Sequence, residues 1–152
     1  MDRSKIFKKY EPHPENLLHI LHDLQNESGK NFIADEDIVE VSRYLNLPAN
    51  KVEATLSFYT MFSRRKRGKH IIRLCESPSC YMAGGEDLLS HLEQKLKVKK
   101  GETTKDGNFT LEASACLGVC DLAPAMMVDN DVHGNLTVEK VDEIINAIGR
   151  KK

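Results

Sequence analysis

The chain reads as an α/β protein in which a small N-terminal helical bundle is followed by a β-α-β-β-β-α domain. Three observations predict this. Through about residue 62, apolar residues recur at the spacing of amphipathic helices. From His70 onward, short apolar runs alternate with helical stripes, the pattern of a layered sheet and helices. Between them, Ser63-Arg64-Arg65-Lys66-Arg67-Gly68-Lys69 is a basic run that marks a boundary. Residues 1–68 are therefore assigned to a helical region and 69–152 to the α/β domain.

In the first region, Leu17, Leu18, Ile20, Leu21 and Leu24 form a helical stripe after Pro12 and Pro14, with Gly29 as its stop. A second helix starts in Asp35-Glu36-Asp37, where carboxylates favour a helix N-terminus, and carries Ile38, Val41 and Leu45. Asn46-Leu47-Pro48 breaks it, and Pro48 suits the first turn of a third helix running through Val52, Leu56, Tyr59 and Met61-Phe62. Three short helices bury little surface alone and must lean on one another. The basic run is expected to be a solvated linker; it has no interleaved aromatic residues of the kind that bind single-stranded nucleic acid.

In the second region, Ile71, Ile72 and Leu74 make a short buried strand. After Gly84-Gly85, Leu88, Leu89, Leu92 and Leu96 form a helical face. Phe109, Leu111 and Ala113 alternate as a strand. Ala125-Met-Met-Val128, a turn at Asp129-Asn130-Asp131 and a return at Val132 read as a hairpin. Thr137 caps a last helix that buries Val141, Ile144, Ile145 and Ile148.

Composition narrows the function classes. A formal net charge of −1 gives no global attraction to nucleic acid or an anionic membrane. No run approaches the roughly eighteen apolar residues of a membrane span, so no membrane insertion is expected. The start Met-Asp-Arg-Ser-Lys carries no apolar signal segment, and a cytoplasmic protein is expected. No serine–histidine–acid arrangement, phosphate loop or dinucleotide fingerprint is visible, so the chain is not expected to catalyse a reaction alone. Its histidines, His13, His19, His22, His70, His91 and His133, are scattered and do not read as ligands.

The four cysteines carry the chemistry. Four residues separate Cys75 from Cys80, three separate Cys116 from Cys120, and thirty-five lie between the pairs. Each pair is expected in a short loop after a strand. Two loops leaving one end of a sheet bring four thiolates together, and the pairing suggests two metal centres. A 2Fe–2S cluster needs two thiolates per iron. Structural zinc shares the same donors, and the spacing leaves it open. Two disulfides demand an oxidising compartment, and a thioredoxin-type dithiol demands a tighter spacing. The loops suit a charged cluster: small residues in Cys75-Glu-Ser-Pro-Ser-Cys80 and Gly118 between the second pair let backbone N–H groups approach sulfur. The helix after Cys80 is expected to add its positive N-terminal end.

With the cysteine pattern, Leu56-Ser-Phe-Tyr59-Thr-Met-Phe62, Gly101-Glu-Thr-Thr104, Cys116-Leu-Gly-Val-Cys120-Asp-Leu-Ala-Pro-Ala-Met-Met-Val128, and Gly134-Asn-Leu-Thr137 followed by Glu139-Lys-Val141 resemble the thioredoxin-like 2Fe–2S subunits of NADH dehydrogenases. Relatives of these subunits serve NAD-dependent hydrogenases, some electron-bifurcating, and formate dehydrogenases. The resemblance runs from Pro14 to Ile148 and departs at Ser79, where threonine or alanine is common, and at Gly85, where alanine is common. It implies a thioredoxin-like fold with Cys75, Cys80, Cys116 and Cys120 ligating one cluster. It also implies FMN and NAD on a partner flavoprotein, with further iron–sulfur subunits in the complex, and a docking role for the N-terminal helices. An independent 2Fe–2S ferredoxin and a zinc-stabilised interaction module are the alternatives.

Overall fold

The structure is a computed structural model and describes residues 3–149. The chain divides into two compact units at Arg67–Gly68.

The first unit is helical: α1 (Arg3–Phe7), α2 (Leu17–Glu27), α3 (Asp35–Leu45) and α4 (Ala49–Phe58), with a 3-10 turn at Pro14–Asn16. Ile20, Leu21 and Leu24 of α2, Val41 and Leu45 of α3, and Val52 of α4 meet in one core at 0 to 1% exposure. Burying each such side chain stabilises the unit by about 1.5–3 kcal/mol. The acidic start of α3 has a definite role. Asp37 accepts the Ala34 N–H at 2.8 Å and pairs with Arg3 at 2.6 Å, satisfying a carboxylate that is otherwise buried. Asn46 ends the helix in the left-handed conformation, φ 51°. Pro48 precedes α4 rather than opening it, with extended ψ of 139°.

Three expectations change here. A fourth helix, α1, precedes the others; five residues are too few to show a period, yet Ile6 is fully buried. The α4 helix stops at Phe58 instead of reaching Phe62, because a distant residue captures the chain beyond it. Buried Gln25 donates its amide to the Met61 carbonyl at 3.0 Å and accepts the Ser63 N–H at 2.8 Å. Phe62 is buried all the same. The basic run is solvated only in part: Arg65, Lys66 and Lys69 are exposed, while Arg64 and Arg67 make fixed contacts. Arg64 donates to the Ile33 carbonyl at 2.9 Å and pairs with Asp35, and buried Arg67 donates to the Asn31 carbonyl at 2.8 Å. Guanidinium forks thus satisfy carbonyls that no helix or strand pairs.

The second unit holds β1 (His70–Cys75), α5 (Pro78–Cys80), α6 (Glu86–Leu96), β2 (Phe109–Ser114), β3 (Met126–Val128), β4 (Asp131–His133) and α7 (Val138–Gly149). The sheet order is β2-β1-β3-β4; β1 pairs parallel with β2 and antiparallel with β3, and β3 and β4 form the hairpin. Central β1 is buried on both faces, Arg73 included, and the Arg73 guanidinium pairs with Glu112 of β2 at 3.1 Å. Ile72, Leu74, Leu111, Met126 and Val128 of the sheet share one core with Leu88 and Leu92 of α6 and Val141 and Ile145 of α7. Thr137 accepts the Lys140 N–H at 3.3 Å, the cap expected for α7. Across the helical layer, His91 of α6 meets Asp142 of α7 at 2.7 Å, and Lys95 joins the same carboxylate at 3.1 Å.

Candidate metal centre

Topology brings the four thiols to one end of the sheet. Parallel strands β1 and β2 finish side by side, with Cys75 in register with Ser114. The chain leaves β2, carries Cys116 and Cys120, and returns antiparallel into β3 at the same end. There the Ala125 carbonyl accepts the Cys75 N–H at 3.1 Å. A parallel pair followed by an antiparallel strand must close its connection at this end, so residues 116 to 125 face the Cys75–Cys80 segment.

The first pair does not lie in a loop. Cys75 is the last residue of β1, and Cys80 ends the helical turn α5, which continues through a π turn at Tyr81–Gly85 into α6. Pro78 at the start of α5 fixes φ where a helix accepts it and forces the turn early. The amides of this first turn therefore lie beside Cys75, and the N-terminal end expected to serve the cluster belongs to α5. Both residues are 2% exposed. The second pair is exposed, Cys116 in the loop after β2 and Cys120 opening a 3-10 turn at Cys120–Leu122, with the two Sγ atoms 3.2 Å apart. Leu117, Val119 and Ala123 of that loop pack against Cys75, Cys80 and Ala125.

By geometry the Gly118 amide donates to Cys116 Sγ at 3.3 Å. The Ser77 and Leu117 amides bear on the ionisation of Cys75, the Ala125 amide on that of Cys80, and the Ser77 hydroxyl on those of Cys75 and Cys116. Burial pushes the Cys75 thiol up, but the Ser77 amide and its companions outweigh it and leave Cys75 below the ordinary value. The Gly118 amide lowers Cys116 as well. Burial and then Cys75 raise Cys80; hydrogen bonding to Cys116 raises Cys120. Each pair thus holds one thiol below its ordinary value and one above it, and thiols must ionise to bind metal.

This donor set fits a binuclear iron–sulfur cluster: four soft thiols grouped two and two, with backbone amides aimed at sulfur. Among the described residues no three His, Cys, Asp or Glu side chains form a site for a single ion, and two thiolates per iron do not require one. The histidines lie elsewhere, in pairs such as His70–Asp129 at 2.7 Å. Sequence reasoning missed the Ser77 hydroxyl, whose one local signal is a serine placed directly before Pro78.

A small α/β domain that gathers paired thiols at one end of its sheet belongs to the class of cluster-binding electron carriers. The thioredoxin-like 2Fe–2S ferredoxin family model matches residues 3–149, and the chain belongs to that family. The cofactor of this family is a 2Fe–2S cluster. Among its relatives, the E subunit of NADH-quinone oxidoreductase from Pseudomonas aeruginosa is 36% identical over 149 residues, covering 96% of this chain and 89% of the relative. Its namesake in Escherichia coli K12 is 38% identical over 136 residues, covering 90% and 81%. A solved NAD+-reducing NiFe hydrogenase in the air-oxidized state shares the fold, with TM-score 0.79 and 23% identity, over 98% of this chain. The chain spans 24% of that hydrogenase chain.

Proposed function

We propose that this chain is the iron–sulfur electron-transfer subunit of a multi-subunit NADH-linked oxidoreductase. In this reading Cys75 and Cys80 hold one iron of a 2Fe–2S cluster, and Cys116 and Cys120 hold the other. The observation that carries it is the convergence of two thiol pairs at one end of the sheet, with Leu117 and Val119 of the second segment packed against Cys75 and Cys80. When bound, the cluster supplies a one-electron donor and acceptor. The chain's own part is to stabilise thiolate charge with the Ser77, Leu117, Gly118 and Ala125 amides, and to pack Leu117 and Val119 over the first pair.

The NADH-quinone oxidoreductase relatives at 36 and 38% identity support a partner that oxidises NADH. On this reading FMN and NAD belong to a partner flavoprotein, further iron–sulfur subunits complete the complex, and this chain relays or stores single electrons in the cytoplasm. The 89% coverage of the Pseudomonas relative, against 24% of the hydrogenase chain, favours a quinone-reducing parent complex. Among the described residues no helix is long and apolar enough to cross a membrane. The helical region of residues 1–68 is assigned to docking on the flavoprotein.

EPR and redox titration of the isolated chain test the assignment. A reducible 2Fe–2S signal is expected, with a negative midpoint nearer the roughly −400 mV of plant-type ferredoxins than the raised values of histidine-ligated centres. No NADH oxidation is expected without the flavoprotein. A colourless zinc protein, or full unshifted signal after serine replacement of any one of the four cysteines, refutes the ligand set. A fragment beginning at Gly68 is expected to assemble the cluster and lose the flavoprotein; undiminished binding refutes the docking role.

A further inference from the structure

The two thiol pairs differ in what reaches them from solution. Cys75 and Cys80 are 2% exposed. They are held by a strand paired on both sides and by a helical turn. Cys116 and Cys120 are exposed on a loop, with Sγ atoms 3.2 Å apart. A disulfide bond is about 2.05 Å long, so about 1 Å of closure joins them. The loop has room for that movement. Gly118 between them takes φ +82°, and nothing lies within 4 Å of where a side chain would begin there. The Gly118 amide already turns Cys116 Sγ toward its partner, at 3.3 Å.

From this geometry we propose that Cys116 and Cys120 form a reversible disulfide in the cluster-free chain, by exchange with a low-molecular-weight disulfide such as oxidised glutathione. Cys116 gives its thiol proton to solvent and attacks one glutathione sulfur. The glutathione S–S bond breaks, a mixed disulfide forms and one glutathione thiolate leaves. Cys120 gives up its proton and attacks Cys116 Sγ, closing the protein disulfide and expelling the second glutathione thiolate. Both thiolates take up protons. Two protein thiols are oxidised by two electrons in all, and one glutathione disulfide is reduced to two thiols. The buried pair stays reduced because neither sulfur meets the reagent. In a reducing compartment such a bridge is transient. It guards an empty site from irreversible thiol oxidation and has to be reduced before cluster insertion. That consequence for insertion rests on the ligand set proposed above; the pairing itself does not.

The test uses the full chain stripped of its cluster, equilibrated with a glutathione disulfide buffer, quenched with acid, alkylated and mapped by peptide mass spectrometry. The expected product joins Cys116 to Cys120 and carries label on Cys75 and Cys80. Circular dichroism of the same sample is expected to show a folded chain. Cluster loading, followed by absorbance, should be blocked until dithiothreitol is added, and the Cys116→Ser chain should form no intramolecular bridge. A Cys75–Cys80 bridge, a scrambled mixture from a folded or unfolded chain, or four labelled thiols at an oxidising buffer ratio each overturns the proposal. If the bridge forms as mapped while serine variants keep an unshifted cluster, the ligand assignment fails and the disulfide site stands.

Discussion

Cys75 and Cys80 end a central strand and a helical turn, out of reach of solvent, whereas Cys116 and Cys120 ride a loop open to solvent. The numbers of donors are equal and the spacings nearly so. What differs is the scaffold behind them. The first pair inherits its positions from the core: Leu74 beside it is 1% exposed, and Gly85 brings the π turn against the Cys80 carbonyl. The second pair is positioned by contacts its loop makes with its neighbours, through Leu117, Val119 and the Gly134–Asn135 turn. On the ligand set proposed above, a cluster would join a buried half-site to an exposed one.

Serine substitutions give the largest test of this contrast. All four are expected to reduce the visible absorption of the cluster, but Cys75→Ser and Cys80→Ser should also lower thermal stability, because they set a more polar atom among buried contacts. Cys116→Ser and Cys120→Ser should leave the melting temperature of the cluster-free chain nearly unchanged. Equal melting losses for both pairs break the distinction.

Gly85→Ala comes next. A Cβ at Gly85 would lie 2.7 Å from the Cys80 carbonyl oxygen, a backbone atom that cannot step aside cheaply. The cost of such overpacking is about 1–3 kcal/mol, read by chemical denaturation.

Gly134→Ala presses on the exposed side. Its Cβ would meet Leu122 Cβ at 2.4 Å and the Leu122 carbonyl oxygen at 2.8 Å, so the backbone two residues after Cys120 must shift. A stability loss of about 1–3 kcal/mol is expected, the range of overpacking costs. The EPR line shape and midpoint potential should shift. An unmoved cluster signal would show that this turn does not bear on the second pair.

The smallest effect is electrostatic and lies away from both pairs. Hydrogen bonds from His91 and then Lys95 hold the Asp142 carboxyl below the ordinary carboxylate range. A carboxylate depressed on folding contributes stability that is present above its unfolded value of about 3.9 and is lost as pH falls through the lower folded value. Melting measured below about pH 4 should fall more steeply for the native chain than for Asp142→Asn, with the two curves parallel near neutrality. Curves parallel through the acid range would remove Asp142 from the acid limb.

Much of this was legible beforehand. Helices α2, α3, α6 and α7 follow from apolar period and from stops such as Asn46, because each signal lies within a few residues of what it controls. The paired cysteines announced a two-centred site for the same reason, since spacing is a local property. Nothing local distinguishes the two pairs. Burial of Cys75 depends on β2 and β3 flanking β1, and exposure of Cys116 depends on what the returning loop leaves uncovered. The stop of α4 depends on Gln25, thirty-six residues from the Met61 carbonyl it captures. Arg64 and Arg67 turn from a charge run into fixed donors only because carbonyls at Ile33 and Asn31 come within reach. Four thiols in two close pairs and the order of elements are written in neighbouring residues. Tertiary structure alone decided which pair is buried and which amides reach sulfur, because desolvation and hydrogen bonding are set by groups that only folding brings together.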